Sequence, residues 1–139
     1  MAIDNIYDQL TRDEEKRNRM YLDSVGKHTI GVGHNLDDKP ISDRACQVIL
    51  EDDVADARDD LHRALPWVAG LSEPRQAALL NMCFNMGLGG LLTFKNALKA
   101  LQEGRWEDAR KDILSSTYAK QVGPRAHRVA RQIVEDRWV

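Results

Sequence analysis

The sequence predicts an α+β fold, mostly helical, with one small antiparallel β-ribbon in an N-terminal lobe and a helical C-terminal lobe. Apolar residues recur at helical spacing at the start of the chain and again from residue 42 to residue 134. Between these stretches, Met20-Tyr21-Leu22 and His28-Thr29-Ile30-Gly31-Val32 flank a turn-forming Ser24-Val25-Gly26-Lys27, the pattern of a short ribbon. From Ala77 to Met86 the chain is apolar almost all round, broken only by Asn81 and Asn85. A helix without a polar face belongs at the centre of a domain.

Each element has a local reason. Ile3, Ile6, Tyr7 and Leu10 sit at i, i+3, i+4 and i+7, an amphipathic first helix ending near Glu14. The ribbon occupies residues 19–34, and Asn35 to Pro40 reads as loop. Ser42 is a good N-cap for a long helix to about Leu65, with an inward stripe of Cys46, Ile49, Leu50, Asp53 or Val54, Ala57, Leu61 and Leu65. Pro66 stops it. Ser72 with Pro74 opens the apolar helix, and Gly87, Gly89 and Gly90 close it. Thr93 caps a further helix through Leu101, ended by Gly104; another runs from Arg105 to about Leu114. Gly123-Pro124 starts a terminal helix with Ala126, Val129, Ala130, Ile133 and Val134 inward. The expected organisation is a single domain, 1–139. Its N-terminal lobe is about 15–50, its helical lobe is about 60–139 plus the first helix, and the helix at about 42–65 connects them.

The chain has 139 residues, 42% hydrophobic and 30% charged, enough for one domain with its own core. A net charge of −2 argues against a nucleic-acid binder. The acids between Asp43 and Asp60 and the terminal arginines Arg125, Arg128, Arg131 and Arg137 read as solvated helix faces, Arg125 excepted. Cys46 and Cys83 read as small buried hydrophobes with free thiols. The amino terminus is polar too early for a signal peptide, and no apolar run approaches the ~20 residues of a membrane span. Synthesis in the cytosol without membrane insertion is therefore expected.

Two carboxylic acids, Glu14 and Asp23, are nine positions apart, a spacing that can place one at the end of a helix and the other at the start of a β-ribbon, facing each other across a groove. A carboxylate pair flanking one cleft is the minimum equipment for cutting a glycosidic bond. Metal chemistry has no support: His28, His34, His62 and His127 form no His-x₃-His or Glu-x-x-His set. His34 reads instead as a structural histidine pinned by a carboxylate. Gly31-Val32-Gly33 lacks the third glycine and the following helix of a phosphate loop. Of Trp67, Trp106 and Trp138, at least two are expected in the core.

In order and spacing, Asp13-Glu14, Tyr21, Asp23, Gly26 and Thr29-Ile30-Gly31-Val32-Gly33-His34 resemble the motif of phage-type lysozymes, or endolysins. A second block agrees: Arg75, Ala77-Ala78-Leu79, Asn81-Met82, Phe84-Asn85-Met86-Gly87, Phe94, Arg105-Trp106, Gln121, Arg125-Ala126 and Arg128. The likeness spans nearly the whole chain. It implies a lysozyme-like fold and hydrolysis of the β-1,4 bond between N-acetylmuramic acid and N-acetylglucosamine in peptidoglycan, with inversion. Glu14 would be the general acid, Asp23 would position or activate the water, and Thr29 would help place it. Phe84, Asn85 and Gly33 would bind substrate. Arg125, which corresponds to an arginine paired with the catalytic Glu, and His34 would support the site.

The resemblance further implies no cofactor and no metal, peptidoglycan glycan strands as partner, a monomer, and dependence on a holin. Such a chain stays in the host cytoplasm until released to the wall.

Three departures stand out. Glu15 replaces the Gly usual after the acid, where a left-handed conformation would strain it by about 1 kcal/mol or more. Thr117-Tyr118 stands where Arg-Trp is common, and Glu135-Asp136 where Thr-Gly is common. Three alternatives stay open: a lysozyme-like module that grips glycan with weak or no cutting, a lytic transglycosylase, and a helical nucleic-acid binder. Asp23 and Thr29 favour hydrolysis over the transglycosylase, which needs one acid only.

Overall fold

The computed structural model describes residues 3–139. Helix α1 (Ile6–Glu14) leads into strands β1 (Lys16–Leu22), β2 (His28–Val32) and β3 (His34–Asn35). Helix α2 (Asp43–Ala64) and a 3-10 turn (Pro66–Gly70) follow, then α3 (Glu73–Leu92), α4 (Lys95–Gln102), α5 (Trp106–Leu114), α6 (Thr117–Val122) and α7 (Pro124–Glu135). This is the expected α+β arrangement. The chain forms two compact units that divide inside α2, one through Ile49 and the other Leu50–Val139. The first helix groups with the ribbon, where α1 meets β2.

In the first unit, β1-β2-β3 is an antiparallel sheet. The ribbon is longer than the alternating arms suggest, because Lys16-Arg17 pairs with Gly31-Val32. Between Arg17 and Tyr21 the register slips, four steps on β1 opposing two on β2. This irregularity lets Arg17 lie over the Tyr21 ring, 4.7 Å from its centroid. Strand β3 sets His34, expected at the end of the second arm, and Asn35, expected in loop, in a third strand by pairing Asn35 with Thr29 and His34 with Ile30. Little of this unit is buried. Helix α1 buries no residue, and among described residues through Ile49 only Thr29, 3% exposed, is fully covered.

The second unit holds the core. Leu61, Val68, Leu79, Met82, Leu91, Leu101, Ile113 and Ile133 are its largest fully buried side chains. The apolar helix α3 runs through this core as expected, with Ala78, Leu79, Met82 and Cys83 buried. Trp67 and Trp106 pack against it, whereas Trp138 is 63% exposed. The Arg75 guanidinium lies 3.7 Å from the centroid of the Trp106 ring, and its Nε donates to the Ile133 carbonyl at 2.8 Å.

Caps that act locally fall where expected. Ser42 Oγ accepts from Ala45 N at 3.1 Å, and Ser72 Oγ from Arg75 N at 3.4 Å. Four expectations need correction. The inward stripe of α2 is buried only at Leu61, with Leu65 packed just beyond the helix end; Ile49 and Leu50 are exposed, because helical spacing marks a face but supplies nothing to cover it. Cys46 on that stripe is exposed for the same reason, while Cys83 is buried; both thiols are free. Gly87 (φ 78°, ψ 164°) kinks α3 rather than ending it, and one more turn runs to Leu92. Thr93 serves that turn by donating to the Gly90 carbonyl, so Phe94 occupies the N-cap of α4 without a side-chain bond. Helix α6, capped by Ser116, goes unmarked by periodicity because it has only six residues.

Candidate active site

Glu14 is the last residue of α1, and the chain reverses immediately after it. Glu15 makes that reversal at φ 59°, ψ 126°, its N–H closing onto the Thr11 carbonyl at 3.0 Å. The positive φ expected there is present, but ψ lies outside the left-handed helical well. The reversal carries the exposed Glu14 side chain over Gly33, which sits at φ 67°. A Cβ added to Gly33 would meet Glu14 Oε2 at 3.0 Å, so the missing side chain is the seat of the carboxylate.

Asp23 sits at the other end of the ribbon, where its carboxylate holds the hairpin turn. Oδ1 accepts from Val25 N and Lys27 N, each at 2.9 Å, while Asp23 N donates to the Lys27 carbonyl at 2.9 Å. Gly26 supplies the positive φ of 84° that closes the turn. Thr29, buried in β2, donates its hydroxyl to the same Lys27 carbonyl at 3.0 Å. Asp23 and Thr29 thus share one peptide group.

His34 differs from expectation: its Nε2 faces the Lys39 backbone carbonyl at 3.0 Å. The carboxylate-pinned histidine is His28, whose Nδ1 lies 3.0 Å from Asp37. Register explains the difference. Strand β3 turns the chain at Asn35, so the loop acids come level with the start of β2. The hydrogen bonds from His28, the backbone one first, hold the Asp37 carboxyl below its usual range.

The second unit carries the remaining expected residues. Arg125 donates through Nε to Asn81 Oδ1 at 2.9 Å. Phe84 shares with Asn81 and Arg125 a shallow hollow of ≈ 230 Å³. Asn85 lines a different hollow of ≈ 980 Å³, with Phe94, Asp112, Thr117, Tyr118 and Gln121. Consecutive helix positions point about 100° apart, so neighbours on α3 open onto separate surfaces. The Tyr118 hydroxyl is buried with no hydrogen-bond partner among the described residues, and burial raises its pKa. Among the described residues, no group of His, Cys, Asp and Glu could hold a metal ion, and no single helix is long and apolar enough to cross a membrane.

Residues 11–133 match the family described as phage lysozyme. The chain belongs to the phage lysozyme family. That places it among the glycoside hydrolases, as a lysozyme. It is 31% identical over 91% of its length to the pre-baseplate central spike protein Gp5 of Enterobacteria phage T4, but spans only 27% of that protein. It is 29% and 27% identical to probable T4-type lysozymes 1 and 2 of Dictyostelium discoideum, over 91% of this chain and 92% of each relative.

Motif reading marks Glu14, Asp23, Thr29 and Gly33 in this lysozyme, but not the backbone of Lys27 or the acid that holds His28. A backbone acceptor has no side-chain signature. The one available sign was the density of turn-forming polar residues in Asn35-Leu36-Asp37-Asp38.

Proposed function

We propose that this chain is an endolysin that hydrolyses the β-1,4 bond between N-acetylmuramic acid and N-acetylglucosamine in bacterial peptidoglycan, with inversion, and so lyses the host. The observation that carries the reading is the ribbon with an acid at each end. Glu14 rests on Gly33 beside one end; at the other, the Lys27 carbonyl accepts both the Asp23 N–H and the Thr29 hydroxyl, and the Lys27 N–H holds the Asp23 carboxylate. The four steps from Val32 to His28 correspond to about 13 Å of strand. Inversion requires the two carboxylates to stand about 6.5–9.5 Å apart in the working enzyme, with a water between them.

In this reading each residue has a role that its contacts allow. Glu14 gives its proton to the leaving glycosidic oxygen as the bond to the anomeric carbon breaks. The Thr29 hydroxyl spends its hydrogen on the Lys27 carbonyl, so its oxygen is left to accept. Asp23 Oδ1 is occupied by two backbone N–H groups, which leaves Oδ2. A water donating to Thr29 Oγ1 and Asp23 Oδ2 presents its lone pair to the sugar. As its oxygen bonds to the anomeric carbon, its proton passes to Asp23. In the first unit Gly33 contributes to glycan binding with His34 in support; in the second, Phe84 and Asn85 contribute from their separate hollows, with Arg125 in support. The enzyme acts as a monomer without cofactor. It waits in the host cytoplasm until a holin gives it access to the wall.

Purified peptidoglycan incubated with wild type should yield new reducing ends of inverted anomeric configuration. Glu14→Gln should remain folded and yield almost none. Undiminished release by Glu14→Gln would refute the acid assignment. Anhydro products would refute hydrolysis. A second reading, a glycan-binding module with weak or no cutting, draws on the strained Glu15 beside the acid. It predicts co-sedimentation with cell walls without release of reducing ends by the wild type.

A further inference from the structure

The peptide unit between Lys27 and His28 links the proposed water-handling residues to a loop that the motif does not include. At its carbonyl end it accepts the Asp23 N–H at 2.9 Å and the Thr29 hydroxyl at 3.0 Å. At its N–H end it donates to Asp37 Oδ2 at 2.8 Å. Asp37 also holds the His28 ring, Nδ1 to Oδ2 at 3.0 Å, and Leu36 N donates to the His28 carbonyl at 2.8 Å. The neighbouring Asp38 pairs with the Lys27 ammonium at 3.1 Å. Asn35 keeps both acids in place, its Oδ1 accepting from Asp37 N at 3.0 Å and Asp38 N at 3.1 Å.

A peptide unit is planar, so an acceptor fixed on its N–H also fixes the direction of its carbonyl. We propose that Asp37 is a positioning residue for the hydrolysis, holding the Lys27–His28 peptide in the plane that aims the Thr29 hydroxyl and seats Asp23. This rests on the reading of Asp23 and Thr29 as the pair that handles water. The Asp37 and His28 side chains are 41% and 50% exposed, and an ion pair that open contributes little to stability. The role of Asp37 therefore lies in turnover rather than in melting temperature.

The test is steady-state kinetics on soluble peptidoglycan fragments. Asp37→Ala should lower kcat about tenfold or more, the scale of a misaimed catalytic group. KM should change less than about twofold, because glycan contacts are untouched. Asp37→Asn should recover most of the loss, since its amide oxygen still accepts the His28 N–H. An unchanged kcat in Asp37→Ala, or a loss in Asp37→Asn as large as in Asp37→Ala, would overturn the proposal. So would a fall in kcat matched by a fall in the folded fraction. Asp23→Ala is measured separately. Wild-type turnover there removes the reading beneath the proposal, and the proposal with it; a low value there beside an unchanged Asp37→Ala refutes the positioning role alone.

Discussion

Replacing Glu15 by glycine should stabilise the protein. The residue sits at φ 59°, ψ 126°, where a Cβ is disfavoured and glycine is not. Holding a non-glycine residue in such a region costs about 1–3 kcal/mol. The side chain does little to offset that: its ion pair with Arg17 is 3.4 Å long, with the two side chains 72% and 54% exposed, and pairs that open are worth about 0–1 kcal/mol. Glycine has its own cost, about 0.5–1 kcal/mol of added freedom in the unfolded chain. The cap survives, because the bond from residue 15 to the Thr11 carbonyl is made by the backbone. The net gain is about 1 kcal/mol, or about 3–5 °C in Tm for a domain of this size. Urea titration should show a higher midpoint with an unchanged slope. Glu15→Ala is the decisive control, because it removes the charge and keeps the Cβ. It should give no gain. If the alanine and glycine variants gain equally, the effect is electrostatic and the strain argument fails. If neither gains, the position tolerates its backbone without cost.

Two other substitutions probe the seat of the acid and the buried hydroxyl. Gly33→Ala should cost roughly 1–2 kcal/mol for its φ of 67° and also lower lytic rate about tenfold or more, since the new Cβ would reach Glu14 Oε2 at 3.0 Å. Gly31→Ala, at φ 70° with open space around it, should share the stability loss and keep the rate; equal rates in the two variants would mean that Gly33 does not seat Glu14. Tyr118→Phe should raise stability by about 1 kcal/mol in thermal unfolding, because it deletes a buried hydroxyl without a partner and keeps the edge-on contact with Phe94. A lower Tm would show that the hydroxyl is satisfied in solution.

What could be read from the chain follows the range of the forces involved. Ser42 and Ser72 cap their helices because a cap bonds to residues three positions away, within reach of a local pattern. The apolar circumference of α3 announced its burial for the same reason. The added length of β1 was not legible, because Lys16-Arg17-Asn18-Arg19 has no alternation and pairs only once β2 lies beside it. The exposure of Ile49 and Leu50 was equally hidden, since a stripe shows what a helix can bury and not what arrives to bury it. At the site, Glu14 and Asp23 were marked by side-chain chemistry. The Lys27 carbonyl and the Asp37 contact that fixes it depend on a third strand whose two residues, His34 and Asn35, carry no strand signal of their own.

The two non-glycine residues at positive φ show how one sequence departure can mean opposite things. Among the described residues these are Glu15 (φ 59°) and Asp136 (φ 53°), and both stand where the family commonly has glycine. Asp136 closes α7, bonding its N–H to the Gln132 carbonyl at 3.1 Å, and its φ and ψ of 53° and 46° fall in the left-handed well that Asp tolerates better than most residues. Its carboxylate accepts the Ser72 hydroxyl and faces Arg75 at 3.4 Å, whose side chain is 14% exposed and stacks on Trp106. Glycine at 136 would leave that guanidinium without its carboxylate, so the side chain offsets the backbone cost it incurs. Glu15 lies outside that well and pairs with an exposed arginine. Departure from glycine is therefore compensated where the side chain reaches a buried partner, and remains stored strain where it does not. In this chain the uncompensated case is the residue next to the proposed acid.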